Sequence, residues 1–525
     1  MVESTPTLTR SALRGAQAHA PGVTIVRPRP RTTSNAMRAS GACGLVVLAL
    51  VVALPASAAS AESIADRLRA GRDVVLSGVT VTGRLDLRRA EVRAIFKCRS
   101  CTFAGDIVAS DATFERTVDV SGSSFDGAVD FSSATFRAPA LFRAAPVERG
   151  TTLPERPTTF RRGADFSLAT FEDLTSFAGS RVRAAGVFRD TRFADVTFAS
   201  ARFSRTGDFE RASFRGVASF NRARFEGEAT FREADFRAQA GFGQARFDAS
   251  VDFTRAQFAG GASFLNARFE PSETTEEAAQ FQHVTAEGSL DFTFATFDVG
   301  ASATPSDDAR IIAIFADVVC GRSVVFRETT FGAEHRITMS RLQVRDLVLD
   351  IRVVPQIDDP ADQRVVLETV EESAKARGDL GEANDAHYAL LALRSKDYSP
   401  FWRVLDYAFY RGVAGYFVRP FRPLLVLVAL ATVLSLVRFA RHHASSSDPD
   451  GGSRVRRVGT RGADLLTCFL DTLSSIGRGN RAGKGETPGV GERIEVFVYR
   501  VLVACALLGL ANSNPTLREM FDTLV

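Results

Sequence analysis

The most regular feature of this chain is a run of phenylalanines whose spacing alternates between five and six residues. Two positions before each of them stands a small residue, such as Gly207, Ala212 or Ala218. Neither the period of a helix nor that of a strand produces an eleven-residue repeat. A fixed period of this kind predicts a stack of similar coils with both slots pointing inward. The run consists of Phe209, Phe214, Phe220, Phe225, Phe231, Phe236, Phe242, Phe247, Phe253, Phe258, Phe264 and Phe269.

The same rhythm extends in both directions, from Leu76 to Leu347. This length predicts on the order of 12 coils and, at about 4.8 Å per coil, a rod of roughly 60 Å. Three stretches interrupt the rhythm, at 143–159, 270–279 and 300–309, and we predict that they leave the stack as loops at its corners. Further inward slots are Leu76, Val81, Leu87, Val92, Cys98, Phe103, Phe114, Val120, Phe125, Phe131, Phe136, Phe142, Phe160, Phe166, Phe171, Phe177, Val182, Phe188, Phe193, Phe198, Phe203, Phe315, Cys320, Phe326, Phe331, Ile337 and Leu342.

Stretches such as ATFREADF and ASFNRARF resemble the pentapeptide-repeat family, whose unit is A-(D/N)-(L/F)-x-x. Members of that family fold as a right-handed, four-sided parallel β-helix, so the resemblance implies this fold for residues 62–355. Here phenylalanine replaces the central leucine, and every second unit has one extra residue, which implies about 22 residues per coil if four faces are kept. The predicted fold class is mainly β, a right-handed parallel β-helix followed by an α-helical hairpin and a two-helix membrane module.

Residues 356–400 have a helical pattern. Asp359-Pro360 is typical of an N-cap followed by a first-turn proline, and Arg377-Gly378 is typical of a helix C-terminus. A second helix is predicted directly after it. This hairpin either caps the solenoid, whose last coil is otherwise a bare sheet edge, or is a plain linker.

The first 61 residues contain a predicted targeting segment. A short apolar run at 43–54 is followed by PASAASA, which offers A-x-A cleavage sites ending at Ala58 or Ala61, a pattern typical of signal peptides. We predict that 37–61 is a signal peptide and that 1–36 is a mis-called or disordered extension. The solenoid would then be exported.

Residues 401–525 are predicted to form a membrane module. The aromatic and arginine-rich stretch 399–423 is typical of an interfacial helix. Two apolar stretches, about 421–439 and 494–511, are candidate membrane spans. The arginines between 438 and 461 place the intervening loop in the cytoplasm by the positive-inside rule, which agrees with an exported solenoid.

Between the spans, 463–480 has a re-entrant-like pattern ending in TLSSIGRGN, which resembles the filter sequence T-x-T-T-V-G-Y-G-D of two-helix potassium channels. The resemblance implies a pore-like site. Arg478 stands where that family has tyrosine, and four arginines around a symmetric pore would oppose cations, so potassium selectivity is not implied. A degenerate, anion-favouring or non-conducting pore and a plain loop are the remaining interpretations. The pore-like residues are Thr472, Ser475, Ile476, Gly477, Arg478, Gly479 and Asn480.

Charge and residue types argue against several classes of function. A net charge of +4 gives no reason to expect a nucleic-acid partner, and eleven Arg against nine Asp plus Glu between 202 and 270 do not suit an acidic DNA mimic. The histidines lack zinc-ligand spacing, and we find no phosphate-binding loop or nucleophile elbow. We therefore predict no enzyme activity, no catalytic residues, no metal site and no cofactor. Cys98 and Cys101 occupy inward slots, which favours buried packing or a local disulfide over a metal site.

Two functions are compatible with these features. The first is a membrane-anchored protein whose exported solenoid presents a flat, arginine-rich face to a protein or envelope partner. The alternative is an oligomeric, channel-like protein whose solenoid assembles or gates a pore. Both place the chain in the cell membrane, and the second requires a homo-oligomer.

Overall fold

The solenoid consists of coils with four short strands each, and every strand lies parallel to its equivalent in the next coil. Phe214 is the Cα partner of Phe236, and Phe225 that of Phe247, so one coil is two eleven-residue periods long. The longest face has 12 strands, which matches the predicted number of coils. The computed structural model describes residues 58–145, 156–271, 277–298, 311–332, 335–407, 425, 426, 428–433, 436, 437, 497, 498 and 500–505.

We number the four faces in the order in which a coil visits them. The strands of face I are Leu85–Asp86, Ile107–Val108, Val129–Asp130, Ala164–Asp165, Gly186–Val187, Gly207–Asp208, Ala229–Thr230, Val251–Asp252, Glu277–Gln280, Ile311–Ala316 and Arg336–Ser340. Those of face II are Glu91–Val92, Thr113–Phe114, Thr135–Phe136, Thr170–Phe171, Arg192–Phe193, Ser213–Phe214, Asp235–Phe236, Gln257–Phe258 and Thr285–Ala286.

Faces III and IV complete the coil. The strands of face III are Val74–Ser77, Phe96–Arg99, Val118–Asp119, Ala140–Leu141, Thr175–Ser176, Val196–Thr197, Ala218–Ser219, Ala240–Gly241, Ala262–Ser263 and Leu290–Asp291. Those of face IV are Ala58–Ser60, Thr80–Thr82, Thr102–Phe103, Ser124–Phe125, Thr159–Phe160, Arg181–Val182, Arg202–Phe203, Arg224–Phe225, Arg246–Phe247, Arg268–Phe269, Thr296–Phe297 and Thr330–Phe331. Two longer strands near the C-terminal end pair with faces II and III together, Val319–Phe326 and Gln343–Leu349.

Two kinds of corner explain why the phenylalanine spacing alternates. The corners between faces I and II and between III and IV are β-turns: the Phe209 carbonyl accepts a hydrogen bond from the Ala212 N–H at 3.1 Å, and Arg211 has a φ of 55°. A positive φ at the third residue is what a type II turn requires. The other two corners are open bends with one more residue. The turn therefore fits the five-residue interval and the bend fits the six-residue interval.

The phenylalanine slots form stacks of rings inside the coil. Along face II, the centroids of Phe214 and Phe236 are 4.5 Å apart and the rings are 2° from parallel. Across the interior, Phe209 on face I meets Phe220 on face III edge to face, at 5.3 Å and 88°. Both geometries suit aromatic quadrupoles. Burial of each ring stabilises the fold by about 1.5–3 kcal/mol before conformational entropy is subtracted.

The small residue two places before each phenylalanine makes room for these rings. A Cβ atom added at Gly207 would lie only 3.0 Å from Cε1 of Phe225. Ala212 and Ala223 are fully buried. The predicted inward slots are therefore confirmed for the repeat run, while Leu76 and Leu342, near the two ends, are only partly buried against the core.

Helices cover both ends of the stack. Helix α1, Ala61–Arg69, packs Ile64 and Leu68 onto the first coils. The last coil is followed by five helical segments, namely a 3₁₀ helix at Ile351–Gln356, α2 at Pro360–Arg377, α3 at Leu380–Arg394, a 3₁₀ turn at Ser395–Asp397 and α4 at Pro400–Leu405.

Helix α2 closes the C-terminal end of the solenoid. Its N-cap Asp359 accepts a hydrogen bond from the Ala361 N–H at 2.8 Å, and Gly378, with a φ of 77°, ends it. The buried Ser373 hydroxyl accepts the Leu347 N–H of the last strand at 2.9 Å. Because this bond occupies a backbone donor of the terminal coil, the hairpin of α2 and α3 acts as a cap rather than as a plain linker.

The last residues of the predicted signal peptide belong to the fold. Ala58–Ser60 pairs with Thr80–Thr82, and Ala61 begins α1 with 1% of its surface exposed. Residues 1–57 lie outside the described residues. Cleavage after Ala61 would remove this strand, whereas cleavage after Ala58 would keep two of its residues.

Most of the predicted membrane module also lies outside the described residues, including all of 463–480. Short helical pieces are described within both candidate spans, for example 428–433 and 500–505. In the described part of the chain, no helix combines the length and the apolar character needed to cross a bilayer.

Truncation of a stacked ring should destabilise the solenoid strongly. Phe220 is fully buried between Phe198 and Phe242, so we expect Phe220→Ala to cost about 3–5 kcal/mol through lost contacts and a residual cavity. The measurement is the midpoint of denaturant unfolding followed by circular dichroism. Phe294→Ala is the matched control, because Phe294 is 46% exposed. Similar midpoint shifts for both variants would contradict the ring-stack core.

Candidate interaction surface

The interior of the solenoid is filled. A cavity within the described core measures about 10 Å³, and only apolar side chains line it. Among the described residues, no three His, Cys, Asp or Glu side chains are grouped so as to hold a metal ion. The side chains available for recognition therefore lie on the outside of the coils. The cavity is lined by Phe281, Leu290, Phe292, Phe315, Val318, Val324, Phe326 and Leu342.

Face IV carries a ladder of arginines and carboxylates on its outer side. In successive coils an arginine precedes the inward phenylalanine, and these arginines are Cα partners about 4.8 Å apart along the rod. In three of the coils an acidic residue directly follows the phenylalanine. We call these residues the face IV ladder: Arg202, Arg224, Glu226, Arg246, Asp248, Arg268 and Glu270.

Carboxylates of the face IV ladder join arginines of neighbouring coils. Arg224 Nε lies 2.7 Å from Asp248 in the next coil and 3.5 Å from Glu226 in its own coil. Arg246 contacts Asp248 at 2.5 Å and Glu270 at 3.2 Å. Like charges directly opposite each other destabilise a sheet. The interleaved carboxylates remove that repulsion and connect each coil to the next.

These contacts also shift the acidity of the ladder groups. Burial alone would raise the pKa of Glu226, but hydrogen bonds from Arg202 and Ser204 outweigh it, and the pKa lies below its usual value. The hydrogen bond to Asp248 raises the pKa of Arg246. Both groups are therefore ionised at neutral pH.

A second ladder runs along the corner between faces I and II, through the left-handed residue of each β-turn. The signs alternate from coil to coil through Asp190, Arg211, Glu233 and Arg255. Arg211 Nε donates to Asp190 Oδ1 at 2.8 Å, and Arg255 lies 3.5 Å from Glu233. The hydrogen bond from Arg211 lowers the pKa of Asp190. This corner is thus charged but internally neutralised.

The thiols of the solenoid point inward. Cys98 and Cys101 are fully buried and form a disulfide across one turn, which places them outside any metal site. Cys320 is a buried free cysteine in a phenylalanine slot, and burial raises the pKa of its thiol. These three cysteines are part of the core rather than of a reactive surface.

The predicted pore-like residues, from Thr472 to Asn480, lie outside the described residues. Their prediction therefore stays a prediction. Nearby, α4 exposes Phe401 and Trp402 by 71% and 59%. This exposure fits the interfacial character expected of that stretch.

The fold defines the class of protein, a parallel β-solenoid with four faces. The family described as pentapeptide repeats (9 copies) matches residues 209–257. The chain is accordingly a pentapeptide-repeat β-solenoid protein. Searches of curated proteins and of solved structures give no match to it.

Sequence reasoning missed both charge ladders, although the signal was present. The count of eleven Arg against nine Asp plus Glu between 202 and 270 combines the charges of all four faces. When the residues are aligned at the length of one coil, Arg224, Arg246 and Arg268 coincide, and so do Glu226, Asp248 and Glu270. The register of the core is therefore needed to assign each surface charge to its face.

Replacement of a ladder carboxylate should weaken the dependence of stability on acid pH. Because Glu226 has a folded pKa below its unfolded value of about 4.3, its carboxylate stabilises the fold above that pH. This contribution is lost as the pH falls through the folded pKa. We expect a shallower loss of stability below about pH 5 for Glu226→Gln than for wild type, measured by urea unfolding at several pH values.

Glu228→Gln is the control for this experiment. Glu228 is exposed and has no ion pair in the part of the chain that the structure describes, so this variant should keep the wild-type pH dependence. Identical slopes for wild type and Glu226→Gln would refute the stabilising role of the face IV ladder.

Proposed function

We propose that the chain is a membrane-anchored interaction protein whose exported solenoid presents its outer faces to a protein or envelope partner. The observation that carries this proposal is the ring-stack interior, in which the phenylalanine rings of the repeat run are fully buried and stacked on one another. A ligand must then be recognised on the outer surface. That surface is stiffened by the ladders that join consecutive coils.

The disulfide between Cys98 and Cys101 supports export. Disulfides persist in oxidising compartments and are rare in the cytoplasm, where thiols are kept reduced. An apolar run at 43–54 precedes the first strand of the fold, as expected of a cleavable leader. Both features support a location of the solenoid outside the cytoplasm.

The described pieces of the candidate spans support membrane attachment. Leu425, Val433 and Leu436 are 68%, 55% and 48% exposed, and Phe497 is 68% exposed. Large apolar side chains are favourable at such exposure when lipid surrounds them. The exposed aromatic residues of α4 precede these pieces, as an interfacial segment would.

Export predicts the redox state of the chain in cells. We expect Cys98 and Cys101 to resist alkylation under denaturing conditions until a reductant is added, as measured by mass spectrometry of the protein taken from cells. Deletion of residues 37–57, which leaves the first strand intact, should retain the chain in the cytoplasm and leave both Cys98 and Cys101 as reactive thiols. In the same cells, full-length protein should sediment with membranes, and a chain truncated after Tyr398 should not.

Reduced cysteines in the full-length protein would contradict export. A chain that stays with the membranes after truncation at Tyr398 would contradict anchoring by 401–525. These two outcomes are independent, so each half of the proposal can fail alone.

The alternative function is an oligomeric, channel-like protein whose solenoid assembles or gates a pore. It is favoured by the helical pieces on both sides of TLSSIGRGN, at 428–433 and 500–505. Arg478 would place positive charge at the filter-like turn and favour anions.

Ion flux through the reconstituted full-length chain tests this alternative. We expect Arg478→Tyr to shift the reversal potential toward cation selectivity and Gly477→Ala to reduce the conductance in planar bilayers. Ser446→Ala, in the predicted loop before the filter-like turn, is the control and should leave both unchanged. If the wild-type protein conducts no ions and is monomeric in mild detergent, the channel hypothesis is wrong.

A further inference from the structure

The face IV ladder ends abruptly toward the N-terminus. Arg183 and Ser204 occupy the position that holds Glu226 in a later coil, directly after the inward residue. The backbone shows the equivalence: the Arg183 N–H donates to the Phe160 carbonyl at 2.9 Å, and the Glu226 N–H donates to Phe203 at 2.8 Å. The column of carboxylates is therefore missing from three consecutive coils, at Arg161, Arg183 and Ser204. The column of arginines continues through Arg202 and Arg181 and stops at Thr159.

An uncompensated positive surface results. We call it the arginine patch, and it consists of residues that are all exposed and that have no ion pair or side-chain hydrogen bond among the described residues: Arg162, Arg181, Arg183 and Arg205. Arg161 and Arg202 flank the patch, and each of them has a carboxylate partner in an adjacent coil, Asp126 and Glu226.

The patch has a defined geometry because the coils are in register. Arg181 is the Cα partner of Arg202, so their backbones are about 4.8 Å apart. Stacked like charges are unfavourable unless opposite charges lie between them, as they do from Arg224 onward. Guanidinium groups bind carboxylates in a planar, bidentate manner. The patch thus lacks carboxylates at the position that Glu226, Asp248 and Glu270 occupy in the three coils that follow.

We propose that the arginine patch binds an acidic segment of a partner protein, whose Asp and Glu carboxylates continue the face IV ladder past Ser204 and Arg183. This inference rests on the proposed function, an exported surface that recognises a partner, and it names the place and the chemistry of that recognition. The partner's carboxylates would take the position that Glu226 takes toward Arg202 within the chain.

The surroundings of the patch favour a peptide over a lipid surface or a nucleic acid. The exposed large apolar residues of these coils, Leu168 and Leu174, lie at the two corners that flank face II, on the opposite side from face IV. In the described part of face IV, no exposed aromatic side chain is available for stacking on bases. The patch offers charged hydrogen-bond donors, but no exposed large apolar side chain for lipid and no exposed aromatic side chain for bases lies beside them on the described part of face IV.

The test uses purified full-length chain in mild detergent and a fluorescent oligoglutamate peptide as the probe, with an oligoglutamine peptide as the neutral comparison. Wild type should bind only oligoglutamate, more weakly at high salt. Arg183→Glu supplies the missing carboxylate from within the chain, so we expect binding at least about tenfold weaker together with a raised thermal midpoint. Arg181→Gln should weaken binding without that gain in stability.

Arg215→Glu is the matched control, since Arg215 is an exposed arginine on face II without an ion pair in the described structure. It makes the same change of net charge and should leave peptide affinity unchanged. Equal losses for Arg183→Glu and Arg215→Glu, or no binding by wild type, would overturn the proposal. So would Arg183-dependent binding of phosphatidylglycerol vesicles or single-stranded DNA without binding of oligoglutamate.

Failure of this inference can be distinguished from failure of the proposed function. Peptide binding is measured on the purified chain and does not depend on its compartment. Suppose that the cysteines are oxidised and the chain sediments with membranes, but oligoglutamate does not bind. This result would refute only the proposed binding by the arginine patch. A chain that binds oligoglutamate but has reduced cysteines in cells would support the patch and overturn export.

Discussion

The register of one coil on the next is the constraint on which the rest of this solenoid depends. Each ring needs a ring of the adjacent coil beneath it, as Phe214 needs Phe236 at 4.5 Å, and an isolated coil cannot bury its own slots. A shift by one residue would turn the inward side chains outward. The packing of the core therefore permits only one alignment of consecutive coils. This alignment also fixes which outer residues of neighbouring coils lie next to each other.

The surface charges follow from this core register. Residues that are one coil apart lie about 4.8 Å from each other, a distance at which like charges repel and opposite charges attract. At the corner between faces I and II, the sign of the charge alternates from coil to coil, as in Asp190 and Arg211. On face IV, a column of arginines runs beside a column of carboxylates. The left-handed corner positions would be least strained with glycine, yet Arg211 and Glu233 occupy them. Their long side chains form the ion pairs of the ladder.

Much of this architecture could be predicted from the sequence, because the inward slots carry a residue type that stands out. The eleven-residue period located the core, and the caps of α2 at Asp359 and Gly378 were visible as local signals. The ladders were not predicted, since a charged residue in isolation is compatible with any solvated surface. The bond between Ser373 and Leu347 could not be predicted either, because it joins a helix to a strand 26 residues away and depends on where the last coil ends.

The helices at the two ends of the solenoid limit the surfaces that the proposed partner could reach. An open β-solenoid presents backbone donors and acceptors at both ends, and such edges invite further strands. Here α1 covers the first coils, and the Ser373 hydroxyl occupies a donor of the last strand. Addition of a strand or of a second solenoid end to end would have to displace these helices. The recognition that we propose would then take place on the sides of the coils, where the interruption of the face IV ladder leaves arginines that have no carboxylate partner among the described residues.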